Sequence, residues 1–216
     1  MKKKLFIIGF IFVSFIGLKA QNTFNGTIEY SVVDTDSLFH LYADFAPAKI
    51  YTNFYGNNVH QSFEGGFFKI CEYVFLEKNT ELYIIVDSFK VYTKVPLEKP
   101  FIYTITKESE TIEILGYSCE KYKVIIKSDG NSDLENHIWI TTSLKIPSSP
   151  LLEKYGSYLF YTELPYAVLK IETYSGLNYI ATNISNTTPD KSLFKIPKGY
   201  KEDKNMFRKV EEKEKN

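Results

Sequence analysis

Three histidines, His40, His60 and His137, are the only imidazoles among the 216 residues, so an imidazole-based metal site or general base would have to be built on them. A zinc site draws three or four ligands together, typically from paired short-range motifs. No histidine here stands at such spacing from another or from a cysteine, and all three read as single strand- or loop-borne residues. Serine is frequent, yet no G-x-S-x-G elbow exposes a nucleophile between strand and helix. Strands could bring Glu64, Glu72, Glu110 or Glu113 together as the acid and base of a glycosidase-like hydrolase. A general acid of that kind needs burial or a like charge to raise its pKa, whereas strand carboxylates mostly face solvent. The chain therefore reads as non-catalytic, with no metal and no cofactor.

Cys71 and Cys119 are the two cysteines, and no C-x-x-C motif suggests redox chemistry. Two readings are open. A disulfide closing this loop would be worth about 4 kcal/mol in the chain-entropy account, provided the Cα atoms come within about 7 Å. Otherwise both are thiols that pack as small hydrophobes. Trp139, the single tryptophan, alternates with His137 and Thr141 against Ile138 and Ile140. It is either a core or rim anchor or a ligand contact. Aromatic side chains recur on strand after strand, and apolar ligands sit in pockets lined by such residues with few polar groups. Tyr30, Tyr83, Phe101, Tyr122 and Trp139 are accordingly the candidate ligand-binding residues; an ordinary packed core is the alternative.

The elements that must position these residues begin after a leader. Lys2–Lys4 form a basic start, Leu5–Leu18 is apolar, and Leu18-Lys19-Ala20 precedes Gln21 as a cleavage site. That is the layout of a secretory signal peptide over residues 1–20, and its apolar run is shorter than the roughly 20 residues a membrane-spanning helix needs. Export to the periplasm or cell surface follows, a compartment in which a disulfide is allowed. The leader holds four of the 26 basic residues and no acid, which leaves 22 basic against 26 acidic residues in the rest. A nucleic-acid partner would favour a clustered basic surface, so none is expected.

Residues 21–202 read as one domain. Phe24–Val33 alternates Ile28, Tyr30 and Val32 with Thr27, Glu29 and Ser31, the period of a half-buried strand. Further strands are expected at Leu38–Phe45, Lys49–Tyr55, Val59–Glu64, Phe67–Leu76, Leu82–Val86, Lys90–Val95, Phe101–Thr106, Cys119–Lys127, Asn136–Thr142, Tyr158–Thr162, Val168–Tyr174 and Asn178–Ser185. Turn signals separate them every 8–12 residues or so, as in antiparallel sandwiches, barrels and curved sheets. Pro147-Ser148-Ser149-Pro150 is a loop, and Pro150 can open one helical turn through Tyr155. Phe194–Pro197 returns the chain to the body, Met206–Lys215 could form a short helix, and residues 203–216 are a charged tail. The fold class is all-β with minor helix.

Several segments resemble a family of exported Bacteroidota proteins known as a domain of unknown function. Its "I-x-GY-x-C-x-KY" strand falls on Ile114, Gly116, Tyr117, Cys119, Lys121 and Tyr122, and its "W-x-T" strand on Trp139 and Thr141. Its closing "LF-x-IP-x-GY" falls on Leu193, Phe194, Ile196, Pro197, Gly199 and Tyr200, and LYIIVDSFKVYTKV resembles its strand pair centred on Asp87. The resemblance covers about Leu82–Lys201. It implies a fold like that of the outer-membrane lipoprotein carriers (LolA-like): a single, highly curved antiparallel sheet of about eleven strands, an incomplete barrel whose concave side can hold acyl chains. ELPYAVLKIE is also loosely similar to the signature of GLPGLI-type proteins, with Tyr166-Ala167 in place of its glycine. The resemblance implies no enzymatic activity. Two functions are expected as alternatives: an exported protein that holds a lipid or other apolar small molecule in a half-barrel cavity, or a structural or protein-interaction module of the cell envelope with a filled core.

Overall fold

The computed structural model describes residues 23–34, 46–66, 68–95, 102–127, 133–155 and 159–206. The leader, the Leu38–Phe45 strand, Phe101 and residues 207–215 of the C-terminal helix, all expected above, lie outside the described residues. Twelve strands form one sheet: β1 (Gly26–Asp34), β2 (Lys49–Tyr55), β3 (Asn58–Glu64), β4 (Cys71–Leu76), β5 (Glu81–Val86), β6 (Val91–Val95), β7 (Tyr103–Ile114), β8 (Tyr117–Ile126), β9 (Leu134–Lys145), β10 (Tyr166–Glu172), β11 (Leu177–Ser185) and β12 (Lys201–Glu202). Their order is β12-β6-β5-β4-β3-β2-β1-β11-β10-β9-β8-β7, an open sheet with β12 and β7 at its edges. All pairings are antiparallel except that of the two-residue β12 with β6. Among the described residues one short α-helix, α1 (Pro150–Tyr155), opens on Pro150 as the sequence predicts.

The alternation read in β1 holds. Ile28 and Tyr30 are buried, while Thr27 and Glu29 on the other face are half-buried. β7 and β8 are joined by Leu115-Gly116, whose φ angles of 52° and 81° are both positive. Two positive φ values make the type I′ turn that matches the right-handed twist of its strands, and glycine meets the second without steric cost.

The sheet's wrap is fixed by the segment between β9 and β10. Phe160 packs on Phe54 of β2 at 6.3 Å between ring centroids, and its neighbour Tyr161 packs edge-on against Tyr103 of β7 at 5.3 Å. Six strand spacings separate β2 from β7 along the ladder, roughly 29 Å on a flat sheet. Adjacent residues reach both strands only because the sheet curls around them. This is the incomplete barrel expected from the sequence.

Of the strand expected at Tyr158–Thr162, the described residues 159–162 form none. β10 pairs directly with β9, starting at Tyr166 opposite Lys145, so the residues between have no ladder to join. Phe160 and Tyr161 are consecutive and both buried, which a pleated strand with one solvent face would not allow. The only ladder contact left there is an isolated bridge between Tyr161 and Leu164.

Candidate functional site

The concave face carries the main core. Ile28, Tyr30, Phe54, Val59, Phe75, Leu82, Val124, Ile138 and Ile140 line it, and the β9–β10 connection fills it with Ile146, Leu151, Leu152, Leu159, Phe160 and Tyr161. Every one of these connection residues is at most 5 % exposed. The helix is stapled to the turn after it, since the Glu153 carboxylate accepts from the Thr162 amide at 2.8 Å. That bond explains why a glutamate is tolerated at 5 % exposure.

The candidate ligand residues do not converge on one cavity. Tyr30 is 2 % exposed, and its hydroxyl reaches over β11 to donate to the Val168 carbonyl of β10 at 3.1 Å. Ala181, opposite Tyr30 on the intervening strand, leaves room for the ring to cross. Burial pushes this phenol well above its ordinary pKa. Tyr122 is half-buried and in register with Ile138, its hydroxyl donating to Glu120 at 3.1 Å. Trp139 pairs instead with Lys121 and Lys170, so it points to the face opposite Tyr122. Its ring is 1 % exposed, with the two ammonium groups 5.1 Å and 4.2 Å from the ring centroid. Lysine stems covering an apolar ring while their charges stay wet account for such burial on a polar face. Lys121 also pairs with Glu110 at 2.9 Å, and Lys170 with Glu172 at 2.8 Å.

Tyr83 belongs to a second, smaller cluster with Val74 and Ile85, packed by Tyr92, Ile196 and Tyr200. Its strand neighbours Leu82 and Ile84 face the main core, so Tyr83 lies on the other face. The C-terminal return covers this patch. Tyr200 donates to Asp87, and the Lys201 amide donates to the Lys90 carbonyl at 3.1 Å.

The disulfide allowed by the sequence is not present: Cys71 and Cys119 are both free thiols. Cys119 is fully buried on β8 and Cys71 half-buried on β4, strands separated by seven places in the sheet. Burial pushes the Cys119 thiol up to about 11 and raises that of Cys71. Neither is poised as a nucleophile, which requires a depressed pKa.

His60 lies in a polar row that crosses four strands. Thr27 Oγ1 donates to Asn53 Oδ1 at 2.7 Å, and Asn53 Nδ2 lies 3.1 Å from His60 Nδ1. With its oxygen taken, the Asn53 amide must donate to Nδ1, so the imidazole proton sits on Nε2 and is donated to Glu72 at 3.1 Å. Phe194 closes over the ring, edge-on at 6.5 Å. Both nitrogens of this 2 % exposed histidine are occupied, so the row fastens strands and offers no free base. Among the described residues no group of three or more His, Cys, Asp or Glu side chains could hold a metal ion.

An open cleft of about 540 Å³ lies at the end of the sheet where β1 begins, lined by Asn57, Glu77, Thr80, Lys145, Ser148 and Pro165 among others. Glu77 accepts from Asn57 at 2.6 Å. The sequence marks only part of this lining, through the Pro147–Pro150 loop. Its other walls come from three turns and strand ends far apart in the chain, which no local pattern joins.

No protein-family model matches the chain, and no curated protein matches it. A solved structure described as PNGF-II in a C2 space group superposes on it with a TM-score of 0.53 over 85 % of this chain, at 20 % sequence identity. The match takes in 32 % of the PNGF-II chain, so this chain spans about a third of that protein's length. At that identity the likeness is one of fold alone.

Proposed function

We propose that the chain is a non-catalytic module of the cell envelope that works through its outer surface and holds no lipid within the half-barrel. The observation that carries this reading is the occupation of the concave face by the chain itself: Leu151, Leu152 and Phe160 are 1–3 % exposed where acyl chains would lie. An apolar ligand would have to expel this segment and forfeit its buried area, at roughly 25 cal/mol per Å². Two further observations support a binding or structural role. Among the described residues the one buried histidine, His60, has both nitrogens engaged. The fold unit also occurs as about a third of the longer PNGF-II chain. The envelope assignment rests on the leader-like residues 1–20, and the likeness to the carrier family belongs to the same proposal.

Native mass spectrometry of gently purified protein, paired with crosslinking in intact cells, tests the reading. The expected result is a ligand-free mass and a discrete crosslinked protein partner. Co-purifying lipid, or saturable binding of a fluorescent acyl probe, would establish the cavity reading in its place.

A further inference from the structure

Because the ladder is antiparallel throughout β1–β11, its turns and strand ends sort into two rims. β1, β5 and β10 finish at the same rim where β4, β7 and β11 begin. The described residues include six large hydrophobics that stand exposed, and five of them fall at this rim: Val33, Ile70, Phe89, Ile102 and Tyr174. The sixth, Leu115, is at the tip of the β7–β8 hairpin on the opposite rim. The five come from separate turns and strand ends distributed from one edge of the sheet to the other. Phe89 and Ile102 are each 74 % exposed.

We propose that this rim is a contact surface for an anionic lipid bilayer, with single apolar tips entering the interface and lysines meeting the headgroups. Two features select a bilayer over a protein. First, the tips are single side chains from separate strand ends spread round one end of the curled sheet, and a flat surface laid across that end meets them together. Second, the tips are paired with cations: Lys69 precedes Ile70 and Lys90 follows Phe89, both lysines are exposed, and neither has a carboxylate partner among the described residues. The one carboxylate of the Phe89 turn, Asp87, is occupied by the Tyr200 hydroxyl. Isolated apolar side chains flanked by cations suit an interface of acyl chains beneath charged headgroups. The tips are held in place from behind. The Lys201 amide anchors the Phe89 turn through the Lys90 carbonyl, and Asn136 Oδ1 accepts from the Tyr174 amide at 2.9 Å. This inference goes beyond the filled-core reading and does not depend on it, since an open half-barrel would present the same rim.

The test places an indole on one rim at a time in the full-length protein, using Phe89→Trp and, as control, Leu115→Trp. Both sites are exposed, and the native Trp139 is buried, so the added emission reports its own tip. With vesicles of phosphatidylcholine and phosphatidylglycerol, Phe89→Trp should shift to shorter wavelength and be quenched by brominated acyl chains, while Leu115→Trp should not respond. Adding Lys69→Gln and Lys90→Gln to Phe89→Trp should weaken the response on the order of 20-fold. No response from Phe89→Trp at saturating vesicle concentration, or an equal response from both rims, overturns the proposal. So does protection of position 89 by an envelope protein without any vesicle response, which would assign the rim to that partner.

Discussion

Truncating Phe160 to alanine separates a core-filling segment from a detachable lid. The ring is 1 % exposed and rests on Phe54, which in turn packs edge-on against Phe24 at 5.6 Å. Removing a fully buried phenylalanine costs about 3–5 kcal/mol, from lost transfer energy plus the cavity left behind. The segment sits inside a sheet wrapped around it, with its other anchors Leu151 and Leu152 fixed by the helix, so collapse into the hole is restricted. The upper part of that range, about 4 kcal/mol, is therefore expected. For a domain of this size it corresponds to a fall of roughly 8–16 °C in Tm.

Urea unfolding followed through Trp139 provides the assay, because this tryptophan lies on β9 and not in the segment that is cut. If the segment and the sheet are one cooperative unit, the tryptophan signal of Phe160→Ala moves to lower urea with an unchanged slope. If the segment is a lid over a ligand cavity, it opens alone. The sheet's midpoint would then stay within about 0.5 kcal/mol of wild type, as for surface changes. That outcome, joined to new binding of an acyl probe by the variant, would refute the filled-core reasoning.

Leu115 holds φ at 52° with an ordinary side chain and half its surface exposed, so Leu115→Asn should stabilise the protein by about 1 kcal/mol, read as a higher Tm. His60→Ala strips the partner from Asn53, itself only 8 % exposed, and should cost about 2–3 kcal/mol in urea unfolding. Glu72→Gln keeps an oxygen that can accept from Nε2 and should cost less than about 1 kcal/mol. The free thiols predict two titratable sulfhydryls under denaturing, non-reducing conditions, with Cys119 much the slower to react in the native protein. The Cys119 thiol, raised from 9.0 to about 11, keeps its proton in the folded state after the unfolded chain has released it. Its contribution to stability is thus fully present below about pH 9 and lost as pH rises through about 11, and Cys119→Ala should flatten that alkaline decline in Tm.

Much of the ladder was legible because strand and turn chemistry are local. β2 was read to the residue, and the other described strands apart from β12 to within a few positions at most ends, because turn signals such as Gly56-Asn57 and Gly65-Gly66 punctuate alternating runs. β7 ran longer than expected, to Ile114, because a register irregularity between Lys107 and Thr111 lets a polar stretch stay paired. What was not legible depends on which face an alternating residue takes. Tyr83 and Trp139 alternate as well as Tyr30 does, yet both leave the concave side. Period two assigns a residue to one of two faces and is silent on which face is covered. Here both faces are covered in places. The C-terminal return packs Ile196 and Tyr200 onto the outside of β4–β6, and Lys121 and Lys170 shelter Trp139 outside β8–β10.

The same coverings decide where the molecule can act. The concave face is taken by the β9–β10 connection. The β6 edge is covered at Val91 and Tyr92 by the two-residue β12, whose parallel pairing takes backbone groups an incoming strand would need there. The remaining edge, β7, carries Lys107, Glu108, Glu110 and Glu113, and Lys121 of β8 pins Glu108 at 3.5 Å and Glu110 at 2.9 Å across its irregular middle. Charges and a broken register on an edge strand work against addition of another strand. With the inside filled and both edges blunted, the two rims are left as the surfaces best suited to recognition. One holds a cleft of about 540 Å³ with a mixed polar and apolar lining, and the other a row of apolar tips with unpaired lysines beside Ile70 and Phe89. A curved sheet that encloses its own chain leaves these two ends as its open surfaces, one concave and the other studded with single apolar tips.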